Sequence, residues 1–117
     1  MRILILNHFP LEGSGSGIYT KNLARELSEM GHTVKVVFPE IEQVSFEAFE
    51  SRVILFKGPD TENAEFDFNF PCFTSHPRSV KTYYELTQEE LEEYVQKFVD
   101  VTKEEVVNIQ SKLQAES

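Results

Sequence analysis

One stretch of the sequence decides the fold: residues 2–38, which read RILILNHFPLEGSGSGIYTKNLARELSEMGHTVKVVF. Its first six residues, 2–7, form an apolar run that is typical of a parallel strand buried on both faces. A glycine-rich turn follows, and the amphipathic segment after it predicts a helix over residues 18–30. Residues 33–38 predict a second strand because they are rich in β-branched side chains. Strand, glycine turn, helix and strand in this order predict a right-handed βαβ unit.

The rest of the chain predicts one more strand, a loop and a helical end. A third strand is expected over residues 52–57, and Pro39 is expected to end the second. Residues 60–79 are expected to form a loop, and its phenylalanines are expected to fill the core or an interface: Phe66, Phe68, Phe70 and Phe73. The alternation of the first three also allows a short edge strand.

The last third of the chain predicts helix. Thr87 and Glu90 form a capping box before it. An apolar stripe then follows at helical spacing: Leu91, Val95, Phe98, Thr102, Val106, Ile109 and Leu113. An unbroken helix over residues 88–114 would span about 40 Å, so we expect two helices or a kinked one, with Thr102 as a second cap.

Length and composition exclude several classes of protein. The chain of 117 residues suffices for one domain or a piece of a larger one, and its single cysteine excludes a disulfide framework. No apolar run approaches the roughly 20 residues that a membrane span needs, so a reducing, cytoplasmic setting is expected. The net charge of −9 disfavours nucleic acid and anionic lipid as partners. The charge is uneven, because residues 1–38 carry four basic and three acidic side chains, a net of +1.

The turn formed by Ser14, Gly15, Ser16 and Gly17 is the strongest functional signal. Glycines let a ligand approach the backbone, and the following helix would point free N–H groups and its positive dipole end at an anion. The turn lacks the lysine of a P-loop and the spacing of a dinucleotide fingerprint. It therefore predicts a phosphate site, with a tight structural turn as the alternative. We expect valine at Gly15 or Gly17 to reduce activity and to leave the fold intact.

These residues resemble the opening of family 4 glycosyltransferases. Residues 15–24, GSGIYTKNLA, and 31–36, GHTVKV, are similar to that family's Gly-Gly-x-Gly-x-Tyr-x-x-x-Leu and Gly-His-Glu-Val patterns, with Ser14 at the first glycine and Thr33 at the glutamate. The resemblance implies a retaining enzyme of GT-B architecture, in which two Rossmann-like domains face each other across a cleft. It implies a nucleotide diphosphate sugar as donor and a hydroxyl acceptor. No cofactor is expected.

The same resemblance implies roles for other residues. The turn at 14–17 would contact the donor diphosphate. Asn7 and His8, which follow the first strand, and Tyr19 would line the cleft on the acceptor side; packing or loop capping is an equal alternative for Asn7 and His8. From their place beside Pro77 in an aromatic loop, His76 and Arg78 are candidates to contact a phosphate or the acceptor's sugar hydroxyls, with exposure to solvent as the alternative. The histidines lie too far apart in the sequence to predict a metal site, and no nucleophile or general base is assigned.

The resemblance also implies that residues 1–117 are an incomplete N-terminal domain whose C-terminal donor domain is absent. We therefore expect this chain alone to be inactive, to bind nucleotide sugar weakly and to self-associate through exposed strand edges or the Phe-rich loop. Two alternatives stay open. One is another nucleotide-sugar enzyme with the same domain pair, such as a 2-epimerase, and the other is a small α/β module that binds an anion or a protein.

Overall fold

The computed structural model describes residues 1–58, 61, 63–72 and 81–116. It contains a parallel sheet of three strands in the order β1-β2-β3, which span Arg2–Leu6, Thr33–Glu40 and Glu50–Leu55. Helix α1, Gly15–Glu29, connects β1 to β2, and helix α2, Gln88–Glu116, follows the sheet. The predicted α/β, Rossmann-like architecture is confirmed, including the parallel pairing of β1 with β2.

Two short strands and one helical turn complete the described elements. Strand β4, Pro71–Cys72, pairs in parallel with β5, Lys81–Thr82, and a 3₁₀ turn spans Tyr83–Glu85. The short edge strand that the alternation of Phe66, Phe68 and Phe70 allowed does not form, and these rings instead belong to a buried cluster around Phe56. Their predicted role in the core is confirmed, whereas Phe73 lies outside the described residues.

Successive side chains of each strand point to opposite faces of the sheet, so the core is divided into two layers. Val34, Val36 and Phe38 of β2 pack with Ala24 of α1 on one face of the sheet. Val37 of β2 packs on the other face with residues of α2 and the phenylalanine cluster. The sheet is therefore sandwiched between α1 and α2, and the carboxyl ends of its strands meet at one edge, where α/β proteins bind ligands.

Strand β2 continues through Pro39, contrary to the prediction that proline ends it. The Asn7 N–H donates to the carbonyl of Val37 at 2.8 Å, so odd-numbered residues of β2 direct their backbone groups towards β1. Strand β1 ends at Leu6, the partner of Val37, so the nitrogen of Pro39 faces past the end of β1. The missing N–H of Pro39 therefore costs the sheet no hydrogen bond.

Helix α2 is a single helix of 29 residues, so the expected pair of helices is wrong. The Thr102 hydroxyl donates to the Phe98 carbonyl at 2.7 Å, one turn earlier, and therefore does not cap a second helix. Among the described residues, no helix combines the length and apolar character that crossing a membrane requires.

The buried face of α2 also differs from the predicted stripe. Tyr94, Val101 and Glu105 are buried, whereas Val95 and Val106 are about half exposed. Glu105 is buried because Lys35 of β2 faces it across the layer, with 2.7 Å between Nζ and Oε2. The ion pair thus lies on the side of α2 that meets the sheet, together with the buried Tyr94 and Val101.

Candidate functional site

The predicted glycine turn is the N-terminus of α1 itself. The helix begins at Gly15 rather than Ile18, and Ser14 is its N-cap, with an extended φ of −142°. The Ser14 Oγ accepts a hydrogen bond of 3.1 Å from the Gly17 N–H, and the Ser14 carbonyl accepts the first helical bond from Ile18. The residues expected to form a loop therefore form a capped first turn.

This first turn presents donors to solvent. Gly15 and Ser16 are exposed and occupy the first two helical positions, whose N–H groups have no acceptor within a helix. The Ser16 Oγ lies 3.5 Å from the Ser14 Oγ, so two hydroxyls stand beside these amides. The first turn of α1, all of which is described, contains no acidic residue. Its positive dipole end is therefore open to an external anion.

Gly15 and Gly17 differ in what surrounds them. A Cβ on Gly17 would lie 2.1 Å from the Pro10 carbonyl oxygen and 3.0 Å from the Leu11 backbone, whereas a Cβ on Gly15 would meet nothing within 4 Å. Gly17 is thus required by packing, and our expectation that valine there leaves the fold intact is wrong. At Gly15 the open space is compatible with the close approach of a ligand. The structural interpretation of the turn therefore applies to Gly17, while the ligand-binding interpretation stays a prediction for Gly15.

Asn7 connects the end of β1 to α1. Its side chain is buried; Nδ2 donates to the Phe9 carbonyl at 2.5 Å, and Oδ1 accepts from the Thr20 hydroxyl at 3.0 Å. These bonds hold the β1–α1 loop, in agreement with the loop-capping alternative. Contact between Asn7 and a ligand stays a prediction.

The other predicted site residues occupy less enclosed positions. His8 is exposed, and its ring lies 4.3 Å from the ring of Phe9. Tyr19 is 69% exposed on the first part of α1. His76 and Arg78 lie outside the described residues. Among the residues that the structure does describe, no group of three or more histidine, cysteine or acidic side chains is placed to hold a metal ion.

Sequence reasoning missed a cavity at the carboxyl edge of the sheet. It has a volume of about 150 Å³ and lies between the β1–α1 loop, the end of β2 and the chain that follows β2. Its lining comprises four apolar and three polar residues: Leu11, Phe38, Val44, Phe46, Glu12, Glu40 and Ser45. The signal available in the sequence was a carboxylate, Glu40, at the end of a buried strand.

Glu40 is the most buried polar residue of the cavity, with 3% of its surface exposed. Its Oε1 accepts a hydrogen bond of 2.9 Å from the Ile41 N–H, and its carbonyl accepts one of 2.9 Å from the Phe56 N–H. Lys21 of α1 stands near the same cavity, 3.5 Å from the Glu12 carboxylate and 5.7 Å from the centre of the Phe46 ring. The cavity thus combines apolar walls with the carboxylates of Glu12 and Glu40.

Comparison of the chain with family models, with curated proteins and with solved structures gives no match.

Proposed function

We propose that this chain is the N-terminal part of a retaining GT-B glycosyltransferase that moves a sugar from a nucleotide diphosphate sugar to a hydroxyl acceptor. The observation that supports the proposal is the N-terminus of α1, where the exposed amides of Gly15 and Ser16 stand beside two serine hydroxyls. Such a terminus fits the diphosphate of the donor. The proposal places the reaction in a reducing, cytoplasmic setting.

The proposed role of this terminus is to stabilise the leaving group. Transfer of the sugar breaks the bond between its anomeric carbon and the diphosphate, and negative charge develops on the diphosphate oxygen. Fixed N–H donors and the positive end of a helix dipole stabilise that charge without reorganising during the reaction. His8 and Tyr19, exposed near the same end of the molecule, are proposed to face the acceptor.

The proposal is tested by titrating the chain of 117 residues with uridine, guanosine and adenosine diphosphate sugars, followed by NMR. Two or three screened, surface-exposed contacts predict a dissociation constant around millimolar or weaker. The amide signals of Gly15 and Ser16 should shift most. Signals that stay unmoved at these two residues would contradict the diphosphate contact, and micromolar binding or turnover by this chain would contradict its being part of a larger site.

A pair of variants separates ligand contact from folding. Gly15→Val places a branched side chain where the phosphate would lie, and Gln88→Val makes a matched change at the exposed first position of α2. We expect the first variant to weaken binding at least tenfold and the second to leave it unchanged, while both keep the thermal stability of the parent to within a few degrees. Equal binding by both variants would argue against the site.

A further inference from the structure

We propose that two copies of this chain pair through the outer edge of β1 and form one continuous sheet of six strands. A hydrophobic stripe on α1 and another on α2 cover the two faces of that junction. The proposal does not rest on the proposed function. It extends the open strand edge to a surface made by three elements, and its partner is a second copy related by a twofold axis.

The first argument is that the two edges of the sheet differ. At the outer edge of β3, the Leu55 N–H donates to the Glu65 carboxylate at 3.2 Å, and the Leu55 carbonyl accepts from the Glu65 N–H at 2.7 Å. At β1 the outward backbone groups are those of Leu4 and Leu6, since the Asn7 N–H points to β2. No strand of the described chain pairs with them. Proteins close the edges that must not pair, so the open edge of β1 is suited to pairing.

The second argument begins with the direction of one lysine on each helix. Lys21 of α1 lies 5.7 Å from the ring centre of Phe46, in the connection that leads to β3. Lys97 of α2 lies 4.0 Å from the carboxylate of Glu65, which closes the edge of β3. Both lysines therefore point to the β3 side of the sheet, and the opposite flank of each helix points to the β1 side.

That opposite flank is hydrophobic on both helices. Helical geometry places the residues two positions before, two after and nine after each lysine about half a turn away from it. All six of these residues are hydrophobic and between 38% and 71% exposed: Tyr19, Leu23 and Met30 of α1, and Val95, Val99 and Val106 of α2. Helix α2 also packs against β1. The open edge of β1 therefore lies between two exposed hydrophobic stripes.

The third argument is the size of this surface. The five residues of β1 extend about 17 Å, and the eleven positions that each stripe spans extend about 16 Å, so the three elements match in length. The stripes and the half-exposed Leu6 offer roughly 600 Å² on each copy, so that two copies would bury about 1,200 Å². This is the lower end of the range for specific interfaces. It predicts a dimer that forms at micromolar concentrations.

The fourth argument is that a twofold axis makes the surface complementary to itself. With the axis perpendicular to the sheet and beside Leu4, the two β1 strands pair in antiparallel register, and Arg2 of one copy lies opposite Leu6 of the other. Such an axis preserves the faces of the sheet, so α1 meets α1 and α2 meets α2, and hydrophobic stripes meet each other. Because the pairing uses the open edge of both copies, it ends at a dimer.

The test is analytical ultracentrifugation of the full chain at concentrations from about 1 to 500 μM. We expect the mass to rise from 13.5 kDa towards twice that value, without larger species. Added salt should strengthen association, because each copy carries a net charge of −9 and the junction is hydrophobic. A chain that stays monomeric throughout, or one that forms larger species, would overturn the proposal.

Two matched pairs of variants locate the interface. Val106→Lys adds a charge to the stripe of α2, whereas Val107→Lys makes the same change at an exposed position about 100° further round the helix. On α1, Leu23→Lys is matched by Ile18→Lys, at an exposed residue outside the stripe. The stripe variants should weaken dimerisation at least tenfold, because the axis places each added charge in the interface twice, and the controls should change it less than twofold. Equal effects within both pairs would contradict this interface.

Hydrogen exchange of the parent protein supplies a second measurement, which decides even if the lysine variants fail to fold. The N–H groups of Leu4 and Leu6 would bond to the second copy, so their protection should rise with protein concentration. The Ile5 N–H faces β2 and should be protected at every concentration. Protection of Leu4 and Leu6 that does not depend on concentration would overturn pairing through β1.

Discussion

The Thr20 hydroxyl donates a hydrogen bond of 3.0 Å to the Asn7 Oδ1, which joins the second turn of α1 to the residue that follows β1. Both side chains are buried. Because Asn7 also donates to the Phe9 carbonyl, the pair fixes the loop between strand and helix from both of its ends. The position of the α1 N-terminus relative to the sheet depends on this pair.

Replacing Thr20 with valine should lower the free energy of unfolding by about 1–2 kcal/mol, because the buried Asn7 Oδ1 then loses a donor. Urea denaturation measures the loss. Thr33→Val, at an exposed threonine at the start of β2, is the matched control and should change stability by less than about 0.5 kcal/mol. Equal effects of the two variants would show that the buried hydrogen bond contributes nothing.

Alanine at Gly17 should destabilise the fold by at least about 2 kcal/mol, since its Cβ would fall 2.1 Å from the Pro10 carbonyl oxygen. Alanine at Gly15 meets open space, so it should leave stability unchanged or raise it by up to about 1 kcal/mol. Thermal unfolding of the two variants tests the contrast. A stable Gly17→Ala protein would contradict the close packing of α1 on the loop.

Replacing Lys35 with methionine should destabilise the protein by about 2–4 kcal/mol, because it leaves the Glu105 carboxylate buried without its partner. The double replacement Lys35→Met, Glu105→Leu should recover most of that loss, since it removes both charges. Chemical denaturation of the parent, of the single variants Lys35→Met and Glu105→Leu, and of the double variant completes a double-mutant cycle. A double variant as unstable as Lys35→Met would show that the pair is not the source of the effect.

Tyr94 should make the protein less stable in alkali. Burial, and then its hydrogen bond with the Tyr83 hydroxyl, raises the pKa of Tyr94 well above its usual range. The folded state therefore keeps the Tyr94 proton where the unfolded state loses it, above about pH 10. The contribution of Tyr94 to the free energy of unfolding is therefore complete below about pH 10 and falls as the pH rises further. Tyr94→Phe should flatten this alkaline dependence in denaturation curves, whereas Tyr84→Phe, at an exposed tyrosine, should not.

The outer edge of β1 should promote self-association. Leu4 and Leu6 direct their backbone groups away from β2, since the N–H of Asn7 bonds to it, and no described strand pairs with that edge. Leu6 is also 48% exposed, and an apolar open edge is a site for pairing between chains. Sedimentation should show association that depends on concentration and that Leu6→Lys reduces. Val107→Lys, on the exposed side of α2, is the control, and an equal effect there would point to the helix instead.

The sequence predicted the βαβ core well because local patterns determine it: β-branched runs form the strands, and a capped amphipathic segment forms α1. The sequence did not predict the features that depend on contacts between residues far apart in the chain. The buried face of α2 includes Glu105, which is paired with Lys35 of β2, and a stripe of apolar residues in the sequence cannot reveal a buried charged residue. Pro39 continues a strand because its neighbour ends earlier. The same limit applies to the site, since Glu40 acquires its cavity only when the β1–α1 loop folds over it.

The close approach of Gly17 to Pro10 and Leu11 also bears on how quickly a ligand would bind at the proposed phosphate site. With no space between the first turn of α1 and the loop, the donors at Gly15 and Ser16 are in position before a ligand arrives, and binding orders little additional chain. Association should then follow a single phase limited by diffusion and charge, and differences among ligands should appear in their dissociation rates.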